Sequence, residues 1–271
     1  VQISLDGQTL STDVLEPSLT LAGGEAAAWA GSVPVGVTRR VGQGNAVLLN
    51  VPFQRYNNLR HDPAWGAVLA ALGDLLRPAG VQPFARLQTP DGPAHCVEQV
   101  LFRDGDLQYL GLIQDILQVG HPAQQLTITV PEPAYVYDVR AGKPVGAAPL
   151  STWQAEISRG RPLLYALLPY RVTALRAEAP ATVAPGAALS VRATVAATDK
   201  PQHHVVHLSV YAPGSRRPHR HYSQNIACPG GVGEAVIPFA LNDPVGTWRL
   251  ELRDVASGTR TTRTVRVTRT P

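Results

Sequence analysis

At 271 residues, 44% of them hydrophobic, the chain is longer than a usual domain of roughly 100 to 200 residues and apolar enough to build two or three separate cores. No apolar run approaches the roughly 20 residues that span a bilayer, so membrane insertion is not expected. Charge is uneven: residues 1 to 170 carry 11 Lys and Arg against 14 Asp and Glu, while residues 171 to 271 carry 13 against 6, an excess that suits an anionic partner or guards sheet edges against aggregation.

The 24 Gly and 24 Pro are spread along the chain, which favours short strands and turns over long helices. Val1 opens in mid-pattern, with no charged segment leading into an apolar one and no methionine, so the chain reads as a piece of something longer. Cys96 and Cys228 fall in different expected domains and fit neither metal spacing nor a disulfide framework; both are expected free.

Residues 1–82 read as α/β. A strand over 37–41, a Gly42-Gln43-Gly44 turn and the apolar strand Val47-Leu48-Leu49 come first. A helix follows, with Asp62 as N-cap, Pro63 at N1, an apolar stripe of Trp65, Val68, Leu69, Leu72, Leu75 and Leu76, and a stop at Pro78 and Gly80. Such a stripe must lie on a sheet, and the strands in view supply only part of one. The first unit is therefore expected to be the trailing portion of a domain, and the chain to self-associate or pack against the remainder.

From Pro83 to Tyr170 the period changes to two, with strands at 96–102, 107–113, 126–130, 134–139, 151–157 and 163–168 and a hairpin turn at Arg103-Asp104-Gly105-Asp106. This predicts an antiparallel β-sandwich over 83–170. A second sandwich over 171–271, immunoglobulin-like, is predicted from about seven short strands with inward sets Leu189, Val191, Ala193, Val195; Val206, Leu208, Val210; Ile237, Phe239; Trp248, Leu250, Leu252; and Val265, Val267. Its arginines alternate along strands, as in residues 262–269, with no recognition helix and no stacking platform, so nucleic acid is not the expected partner.

Three stretches carry a family resemblance: Arg39 to Asn50 (RRVGQGNAVLLN), Tyr137 to Lys143 (YDVRAGK) and Asn242 to Gly258 (NDPVGTWRLELRDVASG). Together with the helix ending at Val81 they resemble the C-terminal part of bacterial proteins related to family 42 glycoside hydrolases. The resemblance implies that residues 1–82 are the end of a β-galactosidase trimerisation domain with a class I glutamine-amidotransferase-like fold, followed by β-sandwich domains. In that family the catalytic carboxylates lie on an N-terminal barrel, to which nothing here corresponds, so no catalytic residue carries over.

The residues themselves offer no catalytic set either. A retaining glycosidase needs two carboxyls about 5 to 5.5 Å apart, in the usual case at barrel strand ends; Glu98 and Glu156, centred in apolar strands, read as solvent-facing. Neither cysteine sits in a nucleophile elbow. Among the histidines, a hairpin turning at Arg216-Arg217 would set His207 and His221 diagonally on one outward face, close enough to share a metal, although a solvated face explains them as well. The loop over 54–62, with Arg55, Tyr56, Asn57, Asn58, Arg60 and His61, leaves a strand and enters a helix N-terminus, where α/β folds bind sugars or anions; the same residues also suit a loop fixing its own turn.

The favoured reading is a non-catalytic structural and oligomerising region of a glycoside hydrolase-like bacterial protein acting on carbohydrate, exported and without a cofactor. Its expected partners are the remainder of the same protein, further copies of the chain, or a polysaccharide. Competing readings are a carbohydrate-binding or surface-adhesion module, and a complete enzyme with an unrecognised site.

Overall fold

The computed structural model of the chain describes residues 2–5, 8–11, 15–50, 73, 76–94, 96–115 and 122–269. Most of them lie in strands, and the architecture is multidomain and β-rich with several sheets, as the alternating patterns predict.

The first sheet contains β1 (Gln2–Leu5), β2 (Gln8–Ser11), β3 (Glu25–Ala30), β4 (Val33–Val41) and β5 (Gly44–Leu49) in the order β2-β1-β3-β4-β5. Every pairing is antiparallel, so the parallel α/β sheet expected for residues 1–82 is not seen among the described residues. The Gly42-Gln43 turn joins β4 to β5, with Gly42 at φ 60, a value that favours glycine. Val47-Leu48-Leu49 is not a strand buried on both faces: β5 ends the sheet, and Leu48 is 51% exposed. An antiparallel edge strand needs only one covered face, so a continuous apolar run there does not imply complete burial. The helix read over 62–76 lies, apart from its last residues, outside the described residues. Its stop is visible as a 3-10 turn, Arg77–Ala79, closed by left-handed Gly80, whose N–H donates to Arg77 O.

The second unit contains β6 (Arg86–Thr89), β7 (Gly92–Pro93), β8 (Val97–Asp104), β9 (Leu107–Gln114), β10 (Gln124–Asp138), β11 (Lys143–Pro144), β12 (Leu150–Ile157) and β13 (Leu163–Leu168). The two strands expected at 126–130 and 134–139 are one, β10, which pairs with β6 and β12 before Val130 and with β13 and β11 beyond Ala134. The register shifts between Thr129 and Ala134, where Pro131 and Pro133 have no N–H to give to a ladder. Trp153 and Tyr165 meet edge-to-face, centroids 5.2 Å apart, in a core with Leu110, Leu112, Ile128 and Ile157.

The third unit is a sandwich of a three-stranded sheet, β14 (Val172–Glu178), β16 (Ala188–Ala197) and β19 (Val232–Pro238), against a five-stranded one, β15 (Thr182–Val183), β17 (His204–Tyr211), β18 (Gln224–Cys228), β20 (Gly246–Asp254) and β21 (Arg260–Val267). All the inward sets read from the sequence are buried. Trp248 is fully enclosed; its Nε1 donates to Pro244 O, and its ring meets Phe239 edge-on at 4.9 Å. The core does not stop at the unit boundary, because Leu107, Tyr137, Ala166, Leu168 and Tyr170 of the second unit belong to the same buried cluster as Trp248.

That continuity sets what a core deletion should do. Trp248→Ala removes a large buried aromatic, and we expect a loss of about 3–5 kcal/mol that lowers the melting of the second and third units together. Denaturant titration followed by circular dichroism checks this; a midpoint unchanged within error would put Trp248 on the surface.

Candidate functional site

Of the two sites read from the sequence, the structure describes only the histidine pair, and it does not bring that pair together. Arg55, Tyr56, Asn57, Asn58, Arg60 and His61 lie outside the described residues. The hairpin expected to turn at Arg216-Arg217 instead opens into a long connection over 212–223, since Pro213 and Pro218 cannot donate to a ladder. His221 thus falls in a loop, and the residue opposite His207 is Asn225, whose Oδ1 lies 2.7 Å from His207 Nδ1. Among the described residues no three His, Cys, Asp or Glu side chains gather where they could hold a metal. Glu98 and Glu156 are exposed, and Glu156 accepts a bond from Gln125.

The chemistry-bearing residues that do converge lie at the junction of the second and third units. His204 and Asp254 are completely enclosed, with His204 Nδ1 2.8 Å from Asp254 Oδ1. His204 Nε2 meets the Tyr170 hydroxyl at 2.9 Å, and that hydroxyl accepts from Gln202 N at 2.8 Å. On its other side Asp254 Oδ2 accepts from Ser257 N and Ser257 Oγ, at 2.9 and 2.5 Å. A carboxylate only accepts, so Nδ1 carries the imidazole proton; the Tyr170 O–H then donates to Nε2, and every donor in the chain of bonds has an acceptor. The tautomer is assigned from this network.

Around this centre the boundary is closed by further pairs. Tyr137 Oη accepts from Val172 N at 2.9 Å. The Gly105 turn of the second unit receives Gln202, which exchanges two bonds with Asp106, and His203 reaches Asp104 at 2.7 Å. The Gly142 turn meets Gly258, at φ 75; a Cβ built on Gly258 would stand 2.2 Å from Gly142 O, so no side chain fits there. Burial pushes Tyr109 up to about 12, with Asp254 adding to the shift, and raises Tyr137 and Tyr170 in the same way. Cys228, a free buried thiol, is pushed up to about 11, by burial first and by Asp254 second. Such a thiol is a poor nucleophile.

The Tyr-His-Asp-Ser string carries the residue types of a hydrolytic triad but not its arrangement. Ser257 bonds to the carboxylate rather than to the imidazole, and the nitrogen that would serve as base is filled by Tyr170. With no exposed side-chain surface on His204 or Asp254, substrate cannot reach either. What the arrangement does is tie the link at Tyr170 to β17 and to the turn after β20. The signal for it lies in the inward registers: one step beyond Val206 in β17 reaches His204, and one step beyond Leu252 in β20 reaches Asp254.

No protein-family model matches the chain, and no curated protein matches it. Among solved structures, the native conformation of Escherichia coli α2-macroglobulin is similar at a TM-score of 0.28 and 11% identity, covering 60% of this chain and 19% of that one. Salmonella α2-macroglobulin is similar at a TM-score of 0.29, as a Y1175G mutant (12% identity) and as the form reacted with methylamine (11% identity); each covers 68% of this chain and 21% of that one. The chain thus spans about a fifth of the length of these structures.

Proposed function

We propose that this chain is a non-catalytic structural region, a rigid tandem of β-sandwiches within a glycoside hydrolase-like bacterial protein that acts on carbohydrate. The observation that carries the structural part is the sealed Tyr170–His204–Asp254–Ser257 network, which spends its most reactive side chains on joining two units. The carbohydrate part rests on the Arg39–Asn50, Tyr137–Lys143 and Asn242–Gly258 stretches. So do two finer readings: residues 1–82 as the amidotransferase-like end of a trimerisation domain, and the third unit as immunoglobulin-like. In this proposal the first unit carries the contacts to further copies or to the remainder of the protein, which is exported.

The purified chain is expected to hydrolyse no aryl glycoside and to run as an assembly in light scattering. Turnover that disappears on changing a single acidic residue would overturn the non-catalytic reading, and a stable monomer the oligomerising one.

The junction gives two further expectations. His204→Ala leaves the enclosed Asp254 carboxylate with Ser257 as its remaining donor and the Tyr170 proton without its acceptor, a cost of about 3–5 kcal/mol. We expect the second and third units to melt together at a lower temperature, as seen by calorimetry; an unchanged transition would show that the network does not couple them. Tyr109 ionises ordinarily at 10.0 and in the folded chain at about 12. Between these values unfolding releases a proton, so the contribution is whole below pH 10 and disappears as pH rises through 12. Melting temperature should fall over that window, and Tyr109→Phe should make the fall shallower.

A further inference from the structure

The two outward faces of the third unit treat charge in opposite ways. On the three-stranded sheet, Glu178, Arg192 and Glu234 stand side by side across β14, β16 and β19, and Arg192 bonds to Glu234 at 3.2 Å. Signs alternate, as expected of a solvated sheet face. On the five-stranded sheet, the row across β18, β17, β20 and β21 reads Asn225, His207, Arg253 and Arg260. Arg253 and Arg260 are directly opposed, an arrangement that costs stability unless an anion lies over it. The row holds no carboxylate.

The adjacent row holds one, already engaged. Glu251 is the single acid on this face of β17, β20 and β21, and it is bonded to Arg249. Arg266 lies opposite Thr247 at the far end, exposed, and Thr262, Thr264 and Ser209 add hydroxyls on the same face. The positive strip continues past the unit boundary, because the Arg253 guanidinium reaches within 4.0 Å of the Cβ position of Gly142, in the hairpin that exposes Arg140 and Lys143. Asp138 in that hairpin already accepts from Arg140 N and Ala141 N.

We infer that this face binds an acidic polysaccharide, its arginines taking carboxylates of the chain and its hydroxyls the sugar oxygens. Guanidinium groups match carboxylates in pairs of bonds, and a polar row running across four strands, with arginines on two of them, suits an extended polymer. The face gives a nucleic acid little to use: its aromatic ring, Tyr211, is covered by the Arg249 guanidinium 4.1 Å from the centroid, which leaves no platform for a base. The inference does not rest on the structural reading above, and the two fail separately, one in binding and the other in melting.

The test is affinity electrophoresis of the intact chain through polygalacturonate, dextran and duplex DNA at low and raised salt. Polygalacturonate should retard the chain, less so as salt rises, and dextran should not. The Arg260→Gln/Arg266→Gln variant changes two exposed residues and relieves the opposed pair, so its melting temperature should stay level or rise while binding weakens about tenfold. Arg176→Gln/Arg192→Gln, the same charge change on the opposite face, should bind as the parent does. No retardation by polygalacturonate would overturn the inference, as would equal losses in the two variants, which would make the effect one of net charge. Duplex DNA bound as tightly as polygalacturonate would reassign the face to nucleic acid.

Discussion

Asp254 sits where no water reaches it, and a carboxylate so placed is tolerable only with its lone pairs filled by donors of fixed position. His204 comes from β17, Ser257 from the turn after β20, and Tyr170 from the link that follows β13. His204 and Ser257 must arrive together, or the acid is left bare, and Tyr170 then completes the far side of the imidazole. The requirement fixes the register of β17 against β20, where Val206 stands opposite Asp254, and brings the end of the second unit against the third. Apolar packing alone would tolerate some sliding; a buried acid with named donors does not.

The shared core follows from that placement. Once Tyr170 points into the third unit, Leu168, Ala166 and Tyr137 line up behind it on the same side, and their apolar surface joins the cluster around Trp248. The second and third units therefore share a buried cluster while keeping separate sheets. Tyrosine suits this boundary because one end packs as an aromatic and the other offers a hydroxyl, as Tyr137 does for Val172 N.

The alternating patterns carry much of this architecture in plain view. Trp248, Leu250 and Leu252 show their face by period alone, and the Gly105 and Gly258 turns mark their hairpins. His204 and Asp254 lie on the same inward faces, but a pattern drawn from apolar residues ends where a polar one begins. The paired acid and base sit 50 positions apart, and only the pairing of β17 with β20 brings them together. The 212–223 loop escapes for a different reason: two prolines break a ladder that hydrophobicity would continue. The cationic row is hidden in the same way as the buried pair, since Arg253 and Arg260 become opposed only when β20 and β21 close.

Between the last residue of β13, Leu168, and the first of β14, Val172, only residues 169–171 intervene. Tyr170 is tied by its hydroxyl, and Arg171 N donates to Thr198 Oγ1. The link has no length in reserve. Tension applied along the chain would therefore pass from the β13 ladder into the β14 ladder across three residues, with no slack segment between them to extend first.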